Sequence, residues 1–123
     1  LFKWALYDRA PMPRWGKGRV TLLGDASHPT LPFMAQGAAM AIEDAAVLAG
    51  CLSDRNDIPQ ALARYEDLRR DRTAGIQRGS RRNATVFHLS GVKAWLRNRA
   101  LKTAQNRTMD GLFGYNAFED AGR

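Results

Sequence analysis

The sequence predicts an α/β chain in which a few strands are followed by mostly helices. Three patterns carry that expectation. Val20-Thr21-Leu22-Leu23 is a short β-branched and apolar run, of the kind found in strands buried on both faces. Lys3 to Arg9 alternates weakly and carries Trp4, Leu6 and Tyr7, which suits a second strand. From Gly37 onward, apolar residues recur at helical rather than alternating spacing. The 123 residues correspond to one ordinary domain, and 45% hydrophobic with 25% charged residues is a globular composition. A disordered tail, a collagen-like chain and a disulfide scaffold are excluded.

Taken in order, the first strand stops at Ala10-Pro11-Met12-Pro13, because proline fixes φ and removes a backbone donor. Trp15 is expected to cover the edge of a core. Gly16-Lys17-Gly18 reads as a turn into the Val20–Leu23 strand. Residues 25–36 have no periodicity, and Pro29 and Pro32 push their neighbours toward extended backbone. Ala38, Met40, Ile42, Ala45, Leu48 and Leu52 then mark a helix with few polar positions, expected to be buried on most sides. Glu43 and Asp44 lie inside it and need partners, since unpaired buried charge is costly. Asp57 can cap the next helix, with Gln60 three residues on and Pro59 tolerated in its first turn. Ile58, Ala61, Leu62, Tyr65 and Leu68 follow at helical spacing, and the helix can run past Ile76 toward Phe87. Gly91 is a break. Residues 92–104 form a basic segment with Trp95, Leu96 and Leu101 on or near one face. Leu112, Phe113, Tyr115 and Phe118 form an aromatic tail expected to dock on the core.

The formal net charge is +7. Between Arg69 and Arg107 there are eleven basic residues and a single acid, Asp71, so this stretch carries more than the whole excess. It reads either as an anion- or nucleic-acid-binding helical module or as the solvated face of a helix. Against the first, the aromatic residues do not interleave with the arginines as stacking platforms would. The one cysteine, Cys51, excludes an internal disulfide and is expected to be a small core residue. No apolar run approaches the length of a membrane span, and no secretory signal opens the chain, so a cytoplasmic setting without membrane contact is expected.

The chemistry is concentrated between Gly18 and Leu48: a buried strand, an acid at its end, a proline-stiffened loop, a small-residue turn and a helix start. Ligands in α/β folds gather at the carboxyl ends of strands, and a helix N-terminus offers free N–H groups to an electron-rich partner. Asp25 at the strand end can accept hydrogen bonds from sugar or ribityl hydroxyls, or can cap a neighbouring turn. His28 is more readily a locally packed histidine than a catalyst. Ser27 has no base beside it.

The run Gly24-Asp25-Ala26-Ser27-His28-Pro29, then Pro32, Gln36-Gly37 and Glu43-Asp44-Ala45, resembles the second flavin-binding motif of the FAD-dependent aromatic hydroxylases. These are the single-component flavoprotein monooxygenases of the salicylate hydroxylase, 3-hydroxybenzoate 6-hydroxylase and 6-hydroxynicotinate 3-monooxygenase group. Trp4-Ala5-Leu6-Tyr7-Asp8-Arg9 and Leu112-Phe113-Gly114-Tyr115 resemble the same subgroup. The resemblance spans essentially the whole chain and matches only the C-terminal third of such an enzyme. It implies the end of a Rossmann-like, p-hydroxybenzoate hydroxylase-like fold. Residues 1–15 would close the substrate-domain sheet and form a connector. Residues 16–53 would hold the flavin motif, and residues 54–123 the C-terminal helices and aromatic tail.

By the same resemblance, Gly24 and Asp25 would meet the ribityl chain of FAD and Pro29 would shape the loop beside the isoalloxazine. Gln36, Gly37, Ala38, Ala39 and Met40 would bring backbone groups to the pyrimidine edge, and Pro32, Phe33 and Met34 would line an aromatic-substrate pocket. Ala35 stands where many members have glycine, and Ala39 where many have asparagine. The implied reaction consumes NADH or NADPH and O2 and hydroxylates a small aromatic acid. The implied partner is the missing N-terminal part of the same enzyme, with a homodimer as a further expectation. No Gly-x-Gly-x-x-Gly follows a strand, so the AMP half of FAD has no cradle here, and no His/Asp/Glu cluster has metal spacing. The chain alone is therefore expected to be inactive, and no residue in it is identified as a catalytic acid or base.

Overall fold

The computed structural model describes residues 2–3, 5–53, 57–103 and 113–121. Four α-helices are found among them: α1 (Gly37–Ser53), α2 (Ile58–Phe87), α3 (Gly91–Thr103) and α4 (Ala117–Ala121). Two short 3-10 turns, Gly24–Ala26 and Pro32–Met34, precede α1. Asp57 caps α2 by accepting the Gln60 N–H at 3.2 Å, with Pro59 in the first turn. The helix then runs unbroken through Gly75 and Gly79 to Phe87. Gly91, at φ +56°, starts α3 after a short break.

The strands are the main correction. Neither 3–9 nor Val20–Leu23 forms a strand among the described residues, and only one isolated antiparallel bridge, Lys17 to Val20, is present. Leu23 has extended backbone, at φ −139° and ψ 147°. An extended run becomes a strand only through a ladder. Here the local bonds are the reciprocal Lys17–Val20 pair and Leu22 N–H to Trp15 O, at 2.9–3.2 Å.

The core forms where α1, α2 and α4 meet. Trp15, Val47, Cys51, Ala61, Tyr65 and Ala117 are its buried members. Trp15, expected at an edge, is central, with its ring 5.4 Å from His28 and 5.7 Å from Tyr65. α1 is less enclosed than its composition implies. Met40, Asp44, Val47 and Cys51 form one buried stripe, while Ile42 is 71% exposed. The reason is that α2 and α4 cover only one side of it. The tail docks through Tyr115 and Ala117, whereas Phe113 and Phe118 face solvent and Leu112 lies outside the described residues. α3 leaves Trp95, Leu96 and Leu101 exposed.

The Pro32–Met34 turn ends on Ala35 in left-handed backbone, φ 52° and ψ 30°. A Cβ is disfavoured there by about 1–2 kcal/mol, and glycine is not. Ala35→Gly is therefore expected to raise stability by roughly 0.5–1 kcal/mol after its extra chain entropy is deducted. Chemical denaturation followed by circular dichroism measures this, and an unchanged or lower midpoint would show that the turn relaxes around alanine.

Candidate functional site

The site is organised from below by the acid pair on α1. Asp44 is fully buried and accepts three hydrogen bonds. They come from Arg69 Nε at 2.7 Å, His28 Nε2 at 2.5 Å and the Gly24 N–H at 3.1 Å. Glu43 accepts from Arg69 Nη2 at 2.7 Å and takes a two-pronged contact from Arg72 at 2.6 and 2.8 Å. The Tyr115 ring lies under the Arg72 guanidinium at 3.8 Å. Burial pushes both carboxyls upward. At Glu43 the hydrogen bonds and positive charges of Arg72 and Arg69, and at Asp44 the hydrogen bonds from His28, Arg69 and the Gly24 N–H, outweigh burial and hold both below the ordinary carboxylate range. The same partners raise Arg69 despite its burial.

Asp44 thus fastens the Gly24–Ala26 turn, the following loop and α2 to one point on α1. Gly24 itself is buried at φ +60°, and a Cβ on it would come within 3.3 Å of Ala41 Cβ, so only glycine lets the turn sit this close. Asp25, next in the chain, is left exposed. A Cβ placed on Gly37 would lie 3.9 Å from Asp25 Oδ1, so the carboxylate borders the first turn of α1. That turn contains no acidic residue. Met40 is the first residue whose N–H is taken within the helix, by Gln36 O at 2.9 Å. Donors at the start of α1 and an acceptor on the exposed Asp25 therefore lie side by side. An acceptor for hydroxyls beside N–H donors for an electron-rich ring edge is a donor set that fits a flavin's ribityl chain and pyrimidine edge.

The expected site residues fall into two groups along the chain. Gly24, Asp25, Gly37 and Ala38 cluster at the turn and the start of α1, with half-buried Ala39 beside them and the Met40 side chain fully buried beneath. Gln36 is 5% exposed. Pro29 is half-buried, and its carbonyl is held by Gln77 at 2.9 Å. Pro32, Phe33 and Met34 form the second 3-10 turn, farther along the loop. Phe33 presents its ring edge-on to Phe87 at 6.0 Å and to His88 at 5.9 Å. Met34 lies against α2, its Sδ 2.8 Å from where a Gly79 Cβ would stand.

His28 is 1% exposed and held by Asp44 and Trp15, and Ser27 Oγ donates to Gly24 O at 2.9 Å, so both serve the turn. Among the described residues, five of the eleven basic residues, Arg69 and Arg72 among them, are engaged internally. Arg70 pairs with Glu66 and Asp67, Arg81 with Asp8, and Arg97 donates to the carbonyls of Val86 and Phe87. Nothing among the described residues supports a nucleic-acid module. Among the described residues, no group of His, Cys, Asp or Glu is arranged for a metal, and no helix is long and apolar enough to cross a membrane. Arg69 is the organising residue that sequence reasoning missed. Its signal is present: it lies at four-residue spacing with Ala61, Tyr65, Thr73 and Gln77, all buried.

Residues 4–80 match the family model described as FAD binding domain. The chain belongs to that family. It is 47% identical over 108 residues to 3-amino-4-hydroxybenzoate 2-monooxygenase of Streptomyces cremeus, covering 86% of this chain and 27% of the relative. It is 43% identical over 119 residues to 3-hydroxybenzoate 6-hydroxylase of Polaromonas naphthalenivorans, covering 93% and 30%. Among solved structures, a salicylate hydroxylase substrate complex superposes with a TM-score of 0.78 at 34% identity, over 96% of this chain and 30% of that one. The chain spans less than a third of the length of these relatives.

A carboxyl whose pKa is lowered by folding stabilises the fold above its unfolded pKa and loses that contribution as the pH falls through its lowered folded value. Glu43 and Asp44 are both of this kind. Stability is therefore expected to hold at neutral pH and to drop on acidification below about pH 4. Denaturation midpoints taken across that range check it. Equal midpoints at neutral and acid pH would mean that the carboxylates are not held by their arginines.

Proposed function

We propose that this chain supplies the flavin-contacting segment of an FAD-dependent monooxygenase that hydroxylates a small aromatic acid, of hydroxybenzoate or hydroxynicotinate type, with NADH or NADPH and O2. The observation that carries this reading is the Asp25 carboxylate bordering the N-terminal turn of α1. Family membership and the names of the relatives point the same way. FAD, when bound, supplies the redox chemistry of hydride acceptance and oxygen activation.

In this reading Asp25 accepts hydrogen bonds from the ribityl hydroxyls, and Gly24 lets the turn approach closely. Gly37, Ala38 and Ala39 offer N–H donors and the positive end of α1 to the pyrimidine edge. Gln36 starts that turn and Met40 supports it from beneath. Pro29 stiffens the loop, and Pro32, Phe33 and Met34 wall an aromatic pocket that excludes water and orients the ring. Residues 1–15, which form no strand by themselves among the described residues, would end the substrate-domain sheet against the remaining portion of the enzyme and connect it onward, 16–53 hold the flavin motif, and 54–123 brace it. The extended apolar run at 20–23 and the exposed Ile42 face of α1 suit cover by the remaining part of such an enzyme, working in the cytoplasm as monomer or homodimer.

The test joins the chain to the remaining portion of the Polaromonas hydroxylase and assays NADH oxidation with hydroxybenzoates and hydroxynicotinates. Aromatic-acid-stimulated NADH oxidation with hydroxylated product is expected from the joined protein and none from the 123-residue chain. Turnover by the chain alone, or FAD binding without any aromatic hydroxylation in the joined protein, would contradict the reading.

A further inference from the structure

From Pro29 to Phe33, the end of the loop and the second 3-10 turn are gripped by their backbone carbonyls from one face of α2. Gln77 Nε2 donates to Pro29 O at 2.9 Å, Ser80 Oγ to Leu31 O at 2.5 Å and Asn83 Nδ2 to Phe33 O at 3.2 Å. The three donors follow one another every three residues on the helix, and the three acceptors are alternate positions, Pro29 and Leu31 in the loop and Phe33 in the second 3-10 turn. For Pro29 and Leu31 this alternation is what extended chain requires, since carbonyls two residues apart point the same way, while Phe33 O is presented by the second 3-10 turn. Leu31 has the matching backbone, at φ −67° and ψ 151°. Gln77 and Ser80 are buried, so these bonds form away from water, where an unmade one is costly. Gln77 also reaches Arg9 O at 3.3 Å, and Arg9 in turn donates to the carbonyls of Ala26 and Ser27, so the strip is tied to the stretch just after Asp25. Between Ser80 and Gln77, Gly79 leaves the gap that Met34 fills.

We propose that the Gln77–Ser80–Asn83 strip, with Gly79, is a positioning device that sets the height and tilt of Phe33 and Met34 over the flavin, and so determines how well hydride consumption is coupled to ring hydroxylation. The proposal rests on the aromatic-hydroxylase reading. The strip grips only backbone carbonyls, while the half-buried Phe33 and Met34 side chains rest against Phe87, His88 and the Gly79 gap and keep part of their surface open. Gln77, Gly79, Ser80 and Asn83 are thereby positioning residues, acting on substrate through Phe33 and Met34. Placement errors of about 1 Å in reacting groups can cost roughly a hundredfold in rate, so a small slackening of this loop has a large readout.

The experiment compares Ser80→Ala, Asn83→Ala and Gly79→Ala with the exposed control Arg82→Ala, in the joined flavoprotein described above. Hydrogen–deuterium exchange of peptide 29–35 is read without FAD, and FAD affinity, NADH consumption and hydroxylated product are read with it. Ser80→Ala and Asn83→Ala are expected to speed exchange in 29–35, leave FAD affinity within about twofold, and lower product per NADH by about threefold or more. Gly79→Ala keeps the loop bonds, so exchange should stay unchanged while the displaced Met34 raises the substrate KM. If exchange and coupling in the two loop variants match Arg82→Ala while the parent hydroxylates normally, the positioning role is overturned and the hydroxylase reading stands. A parent that binds FAD but hydroxylates no aromatic acid overturns the reading on which the proposal rests.

Discussion

Arg69→Ala is expected to destabilise the chain by about 3–5 kcal/mol, the range for removing one partner from a buried ion network. Arg69 is fully buried and contacts both Asp44 and Glu43. Its loss leaves a cavity beside Tyr115 and two carboxylates with fewer donors. Asp44 would keep His28 and Gly24, and Glu43 would keep Arg72, which places the cost nearer the lower bound. Arg69→Lys should recover only part of it, since an ammonium cannot reproduce the forked reach to two carboxylates. A double-mutant cycle with Asp44→Asn isolates the coupling, expected at about 1–3 kcal/mol. Additive losses would show that Arg69 acts through packing alone. The consequence for function follows from Asp44, which also holds the Gly24 N–H. Loosening the network loosens the turn that presents Asp25.

Asp25→Ala in the joined flavoprotein is expected to weaken FAD binding by about 1.5–3 kcal/mol, the worth of a hydrogen bond to a charged group, or roughly 10- to 150-fold in Kd. Asp25 is exposed, and its side chain takes no part in the Asp44 network, so the thermal stability of the FAD-free protein should be nearly unchanged. That split separates a ligand contact from a structural cap. Asp25→Asn, which keeps one acceptor oxygen and loses the charge, should fall between the two. An FAD affinity equal to the parent's would remove Asp25 from the site. A large stability loss with unchanged FAD affinity would make it a turn cap.

Most helices are legible in the sequence because their signals are local. Asp57 with Pro59 and Gln60 marks the start of α2, Gly91 marks the start of α3, and the apolar spacing from Gly37 marks α1. The need of Glu43 and Asp44 for partners is equally legible, because burying charge in an apolar helix is unfavourable whatever lies opposite. The partners themselves are not. Arg69 and Arg72 sit within a basic run that reads as solvated surface, and only the packing of α2 on α1 turns them inward. The strands fail for a related reason: Val20–Leu23 has the composition of a buried strand, but a ladder is a relation between two segments. The Asp25–Gly37 juxtaposition was readable through a motif spanning a dozen residues. The backbone clamp by Gln77, Ser80 and Asn83 joins positions 48–50 residues apart, and helical spacing places its donors on one face without saying which carbonyls lie opposite.

The most direct measurement is a titration of FAD into the joined protein, followed by flavin fluorescence and by thermal unfolding. One FAD per protein with altered emission is predicted. At FAD concentrations near a hundredfold above Kd, stabilisation of about 2.7 kcal/mol should accompany it, and Asp25→Ala should shift the curve to higher FAD. Unchanged emission and an unchanged unfolding temperature at saturating FAD, in a folded joined protein, would contradict the assignment of this chain as a flavin-contacting segment.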